Sequence, residues 1–173
     1  DEFTWCAAEL YITTKNPEYY NAINFNLSFG VPGWPVVETL ALLSLLTNQA
    51  SLTPIADIEL IKSKFLGAVA GPRNNVSSSP YRIPGDFYYW AGNNAFANWG
   101  MCFMQAFRIT GDASYFNAAI ATLDYLLGKN ATTYSFVTGE GSKTPMHIHH
   151  RISSADGVVD PVPGLLVCGA NPS

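Results

Sequence analysis

The 173-residue sequence predicts an all-α fold of stacked helical hairpins, and two observations carry that prediction. First, from residue 2 to residue 127 the apolar residues recur mostly at helical spacing, in segments closed by Thr, Gly, Asp and Pro. Second, the chain repeats itself. Thr14, Tyr19, Asn21 and Ala22 meet Thr110, Tyr115, Asn117 and Ala118 at one offset of 96 residues, and the aromatic pairs Tyr11/Phe107 and Tyr20/Phe116 match in kind. A helical hairpin takes roughly 45 to 50 residues, so this offset means a unit that recurs every second hairpin, as in a toroid of stacked hairpins.

The elements follow in order. Residues 2 to 13 place Phe3, Cys6, Leu10 and Tyr11 on one helical face, and "TTKNPEYY" then turns the chain, with Pro17 at a first helical position where its missing N–H costs nothing. A second pair, "WPVVETLALLSLLT" and "LTPIADIELIKSKFLGAVA", has Pro near each start, with Gly33 or Thr53 as candidate entry residues. Residues 70 to 94 are rich in Pro, Ser, Asn and Gly and read as a long surface loop. The third pair lies in "NWGMCFMQAFRITGDASYFNAAIATLDYLLGKN", where Gly111 stops one helix and Asp112 caps the next. About six helices therefore occupy residues 2–127. Residues 128–173 show little helical pattern: "YSFVTGEG" has room for a short strand, and prolines break "DPVPGLLV".

Only 13% of the residues are charged, against an average near 25%. The surface must then rely on Asn, Ser, Thr and Tyr, which suits neutral polar ligands. A net charge of −4 with singly scattered Lys and Arg gives no electrostatic footprint for nucleic acid or an anionic membrane. No apolar run is long enough to span a bilayer, and nothing reads as a signal peptide. The chain opens inside a helical pattern and stops abruptly at "CGANPS", so both ends read as cuts within a larger fold. Such a piece should expose the apolar faces that missing hairpins cover, and should be ordered only with the remainder, a second copy or a larger assembly.

Cys6, Cys102 and Cys168 are odd in number, widely spaced and flanked by apolar residues, which is the pattern of packed thiols rather than of a disulfide or zinc framework. Sequons stand at Asn26, Asn75 and Asn130, whereas proline excludes the one at Asn171.

All three histidines, His147, His149 and His150, fall in "KTPMHIHHRISSADG", beside Arg151. Three readings compete. His147 and His149 lie two apart, as metal ligands in an extended segment can, yet no further Cys, Asp or Glu stands at ligand spacing. One imidazole, at His147 or His150, suits a structural hydrogen bond in a loop without helix or sheet partners. His149 and Arg151, also two apart, supply fixed donors for the hydroxyls of a neutral polyol.

At these residues the sequence becomes recognisable. "SFVTGEGSKTPMHIHHR" resembles the active-site signature of family 9 glycoside hydrolases, the cellulase family, through Ser135, Val137, Thr138, Gly141, Lys143, Ile148, His149 and Arg151. "DEFTWCAAELYITT", "LDYLLGKN", "SADG" and "PVPGLLV.GANP" resemble family segments in the family's order, so the resemblance spans the chain. It implies that the hairpins form about half of an (α/α)6 barrel. It implies an enzyme cleaving β-1,4-glucan, with no required cofactor, secreted, and with His149 and Arg151 acting around the cleavage point. Trp34 and the "YYW.GN" residues Tyr88, Tyr89, Trp90 and Asn93 would lie near the cleft, the indoles stacking on sugar rings, with His147 alongside as a substrate-binding residue. Asp1 and Glu2 resemble a structural calcium pair of the family, although Pro35 stands where a further ligand is expected.

The family's reaction is inversion, which needs a carboxylate base and a carboxylic acid roughly 6.5 to 9.5 Å apart. In the family the base precedes this region and the acid follows the "GGPN"-like stretch, so neither carries over. Asp86, Glu140, Asp156 and Asp160 are the only acids the pattern places in loops. The expectation is a portion of a catalytic domain that supplies substrate subsites while the remainder supplies the catalytic pair. The rivals are an inert carbohydrate-binding remnant and an exo-acting glucosaminidase or cellobiohydrolase.

Overall fold

The computed structural model describes residues 1–171; Pro172 and Ser173, the last of the loop region and of the excluded sequon at Asn171, lie outside the described residues. Six α-helices precede residue 127: α1 (Glu2–Thr14), α2 (Pro17–Asn21), α3 (Glu38–Thr47), α4 (Ile58–Ser78), α5 (Gly92–Thr110) and α6 (Ala113–Leu126). A short α7 (Arg151–Ala155) follows in the loop region, where the sequence pattern predicts none. No β-strand forms among the described residues; "YSFVTGEG" contributes only an isolated bridge, Val137 to Leu166.

The helices pack in series, α1 on α3, α3 on α4, α4 on α5 and α5 on α6. One core runs through all of them. Tyr11, Leu42, Leu45, Ile61, Phe65, Val69, Cys102, Phe103 and Ala106 are each fully buried in it. A smaller cluster of Ile83, Phe96, Tyr125, Leu126 and Phe136 joins α5 and α6 to the loops on either side, so the loops rest on packed rings. Phe96 meets Tyr125 at 4.8 Å between centroids and Phe87 at 5.4 Å.

Several elements depart from the sequence expectation. On α1 the buried face is Thr4, Ala7, Ala8 and Tyr11, whereas Phe3 is 91% exposed and Leu10 and Cys6 also face outward. Small residues let α1 approach α3 closely, and the large apolar ones form an outer stripe. The supposed loop over 70–94 is nearly half helix: α4 runs through Pro72 to Ser78, α5 begins at Gly92, and 79–91 is irregular. A helix-interior proline ordinarily costs about 3 kcal/mol. Here Val69 and Val76 are buried on either side of it, Arg73 reaches Ser114 Oγ at 3.4 Å and lies over the Tyr115 ring, and Asn75 Nδ2 donates to Pro84 O at 3.0 Å. Those anchors hold the last two turns against the local preference.

The entry residues differ as well. Asp57 caps α4 by accepting from Leu60 N at 2.9 Å, and Val37 precedes α3 without a side-chain cap; Gly33 and Thr53 serve neither helix. Of the cysteines only Cys102 is packed, and burial pushes its thiol up to about 12. Cys6 and Cys168 are exposed. Asn130 is buried, with Nδ2 donating to Tyr125 O and Tyr134 O, so its sequon is closed to modification; Asn26 is exposed.

Two outer faces are apolar. One is the Phe3 and Leu10 stripe on α1; the other is an open groove of about 430 Å³ between α5 and α6, lined by Met101, Met104, Ile120 and Leu123. They lie on the first and last long helices of the series, as expected of hairpins whose neighbours belong to further chain. No helix among the described residues is long and apolar enough to cross a membrane.

Candidate substrate-binding site

Three irregular segments converge on the N-terminal end of α5. The first carries Trp34. Gly33 and Val36 exchange backbone hydrogen bonds of 2.8 and 3.1 Å, closing a tight turn that holds the indole outward, 94% exposed. Asn98, on α5, donates from Nδ2 to Pro32 O at 2.6 Å and to Asn94 Oδ1 at 3.0 Å, which fastens this turn to the helix.

The second segment, 79–91, carries Tyr88, Tyr89 and Trp90. Its register is set by Phe87, whose ring packs edge-on against Phe96 below and Tyr89 above. Trp90 is 73% exposed and Tyr89 51%. Burial pushes the Tyr125 phenol beneath well up from its ordinary value, with Tyr88 adding to the effect. Ala91 enters α5 in the left-handed region at φ 62°, a conformation that costs about 1 kcal/mol for a residue with a Cβ.

The third is the segment 164–168, which lies between α5 and the His-rich loop. Val167 N donates to Phe136 O at 2.9 Å and Thr138 N to Leu165 O at 3.0 Å. Thr138, fully buried, accepts on Oγ1 from Leu165 N at 2.9 Å and donates to Val162 O at 2.6 Å. Val162 N in turn donates to Ser153 Oγ, and Ser153 meets His150 Nδ1 at 2.9 Å. His150 is the N-cap of α7, accepting from Ser153 N. It is the structural imidazole that the loop was expected to need.

The same turn presents the other two residues of the motif. His150 N donates to Ile148 O at 2.9 Å, a three-residue turn with His149 at its apex, and Arg151 opens α7. His149, Arg151 and His147 are all exposed, and among the described residues their side chains make no hydrogen bond or ion pair. Their donors are therefore free for a ligand. Lys143, by contrast, is engaged: its carbonyl accepts from Ser135 N, and its Nζ lies 4.1 Å above the Tyr134 ring and donates to Thr132 O.

Asn93 is a correction. It is 1% exposed, with Nδ2 donating to Val167 O at 3.0 Å and its backbone N–H donating to Cys168 O at 3.1 Å, which leaves no face for a sugar. Asp1 and Glu2 stand at the head of α1. Asp1 accepts from Glu2 N and, through its other oxygen, from Val37 N, and Glu2 is exposed. Among the described residues no three His, Cys, Asp or Glu gather, so these two carboxylates do not by themselves supply the six to eight oxygens calcium takes.

Asp86, Glu140, Asp156 and Asp160 are all exposed, and Asp156 accepts from Val158 N. The one buried acid among the described residues is Glu38, in the first turn of α3, four residues after Trp34. The helix pattern disguised it, since an acid in a first turn reads as an ordinary dipole partner.

The model of glycosyl hydrolase family 9 matches residues 1–173. The chain belongs to glycosyl hydrolase family 9. It is 33% identical over 191 residues to a xyloglucan-specific endo-β-1,4-glucanase of Bacteroides ovatus, across 99% of this chain and 31% of that protein. The solved family 9 structure from Bacteroides ovatus superposes with a TM-score of 0.86 at 30% identity, covering 99% of this chain and 33% of that one. AaCel9A, solved in complex with cellobiose-like isofagomine, superposes with a TM-score of 0.82 at 28% identity, over 98% of this chain and 33% of that one. The chain thus spans about a third of the length of these relatives and contributes part of the (α/α)6 barrel of the family.

Proposed function

We propose that this chain is the part of a secreted family 9 endoglucanase that grips a β-1,4-glucan, while the acid and base of an inverting hydrolysis come from further chain. One observation carries the reading: Trp34 and Trp90, the two most exposed indoles, stand on separate loops fastened to one helix end. An indole covering a pyranose face removes roughly 100 Å² from water, about 2 kcal/mol or some thirtyfold in affinity. His149 and Arg151 supply unengaged donors, the guanidinium as a fixed fork and the imidazole from the apex of its turn, suited to hydroxyls beside the cleaved bond. In such a mechanism this region holds the sugar chain in register, and the water and leaving oxygen are handled by carboxylates outside it.

The test uses the complete polypeptide on cellulose derivatives and xyloglucan. Trp90→Ala should raise KM for β-glucan about thirtyfold, and His149→Ala and Arg151→Ala should lower kcat roughly a hundredfold, with the melting temperature of each nearly unchanged. Unchanged turnover in the last two variants would sink the role given to that pair.

A further inference from the structure

We propose that Asn93 and Gly169 form a positioning pair that sets the aromatic loop and the His149/Arg151 loop at a fixed separation; the idea rests on the glucan-binding reading above and names what holds that site together. The aromatic loop ends at Ala91, and Asn93 is the second residue of α5, where a helix leaves its N–H groups without intrahelical partners. A side chain ordinarily caps such a group, yet α5 has no side-chain cap. The carbonyl of Cys168 takes the Asn93 N–H instead, and the carbonyl of Val167 takes the Asn93 side-chain amide. One residue therefore bonds to two consecutive carbonyls of a segment more than seventy positions away.

Gly169 makes that docking possible. A Cβ there would collide with the Asn93 carboxamide, with Nδ2 at 2.7 Å, and the residue sits at φ +95°, where side chains are strained. From Val167 the hydrogen bond to Phe136 O, the backbone from Phe136 to Thr138, and the bonds of Thr138 to Leu165 and Val162 and of Val162 to Ser153 lead to the His150 cap, next to His149 and Arg151. Apart from Ser153, in α7, these residues lie in loops; Phe136 N donates to Leu126 O at the end of α6, and Asn93 holds the Val167–Cys168 end to α5. Asn93 touches no substrate in this scheme; it acts through the two loops that do.

The experiment compares Asn93→Ala, Gly169→Ala, the double variant and Val69→Ala in the complete polypeptide, the last removing buried α4 packing remote from the loops. Melting temperature, kcat and KM on cello-oligosaccharides, and backbone hydrogen exchange are measured for each. Asn93→Ala should lower kcat/KM roughly ten- to hundredfold and speed exchange selectively in 87–92 and 147–168, whereas Val69→Ala lowers the melting temperature without either change. Gly169→Ala should do the same in the native background and add less than its own single effect on top of Asn93→Ala, because the clash with the carboxamide is then gone and only the strain at φ +95° remains. The proposal is overturned if Asn93→Ala merely matches Val69→Ala in kcat/KM, if exchange rises throughout the chain, or if the two single effects multiply. A native protein inert on every β-glucan would defeat the functional reading alone; the exchange pattern would then decide the positioning pair by itself.

Discussion

The two copies of the repeated hairpin corner, at residues 11–20 and 107–116, have the same local wiring and different burial. In the first, Thr14 Oγ1 donates to Leu10 O and accepts from Asn16 N, and Asn16 Oδ1 accepts from Glu18 N. In the second, Thr110 donates to Ala106 O and accepts from Asp112 N, and Asp112 Oδ1 accepts from Ser114 N. The C-cap is left-handed in both, Lys15 at φ 61° and Gly111 at φ 70°. Even the rings agree, Tyr11 and Tyr20 at 5.1 Å and 53°, Phe107 and Phe116 at 5.4 Å and 52°. Yet Tyr11 is fully buried and Tyr20 nearly so, with Tyr11 Oη against Thr53 and Tyr20 Oη accepting from Asp57 N, while Phe107 is half-buried and Phe116 is exposed. The comparison teaches that local hydrogen bonds reproduce a corner wherever its sequence recurs, and that what packs on it decides which aromatic it carries. Where the 52–57 loop covers the rings, a hydroxyl has partners and Tyr is used; burial then raises the Tyr20 phenol above its ordinary value.

The largest expected break in the comparison is Tyr11→Ala, which should cost about 3–5 kcal/mol in chemical denaturation of the complete polypeptide, against about half of that or less for Phe107→Ala. Equal costs would mean that further chain buries the second corner as deeply as the first. Next come the C-caps. Gly111→Ala should destabilise by about 1 kcal/mol, whereas Lys15→Gly should change stability by less, since relief at φ 61° is offset by loss of the Lys15 Nζ bonds to Ile12 O and Ser51 Oγ. The smallest difference is electrostatic. Hydrogen bonds from Ser114 N and then its hydroxyl, with Arg73 assisting, hold the Asp112 carboxyl below its ordinary value of 3.8. Its folded pKa is depressed, so its contribution is complete above pH 3.8 and is lost as the pH falls from there through the lower folded value. Asn16, the matching cap, does not titrate. Acid titration of stability should therefore flatten in Asp112→Asn and steepen in Asn16→Asp.

Much of the fold was legible because its signals are short-range. Pro17, Gly111 and Asp112 mark helix ends through bonds within a few residues, and the 96-residue offset reported the repeated corner before any packing was known. The His-rich motif pointed to a structural imidazole, and His150 is that residue. What was not legible involved competition between local preference and distant contacts. Pro72 and its polar neighbours argue for a loop, but Val76 is buried and Asn75 is held by Pro84, so helix wins. Asn93 stands in an aromatic, surface-like segment, and only Val167 and Cys168 reveal that it is internal. Glu38 was disguised by its helix.

By itself the sequence determined the hairpin corners, the composition suited to a neutral polar ligand, and the motif that presents His149 and Arg151, because each of these depends on residues adjacent or nearly adjacent in the chain. The tertiary structure decided which face of α1 is buried, how far α4 runs, and that the Trp34 loop, the Trp90 loop and the 164–168 segment are all fastened to the N-terminal part of α5. Those outcomes depend on hydrogen bonds spanning 66 and 74 residues and on burial in a shared core, and no local pattern encodes them.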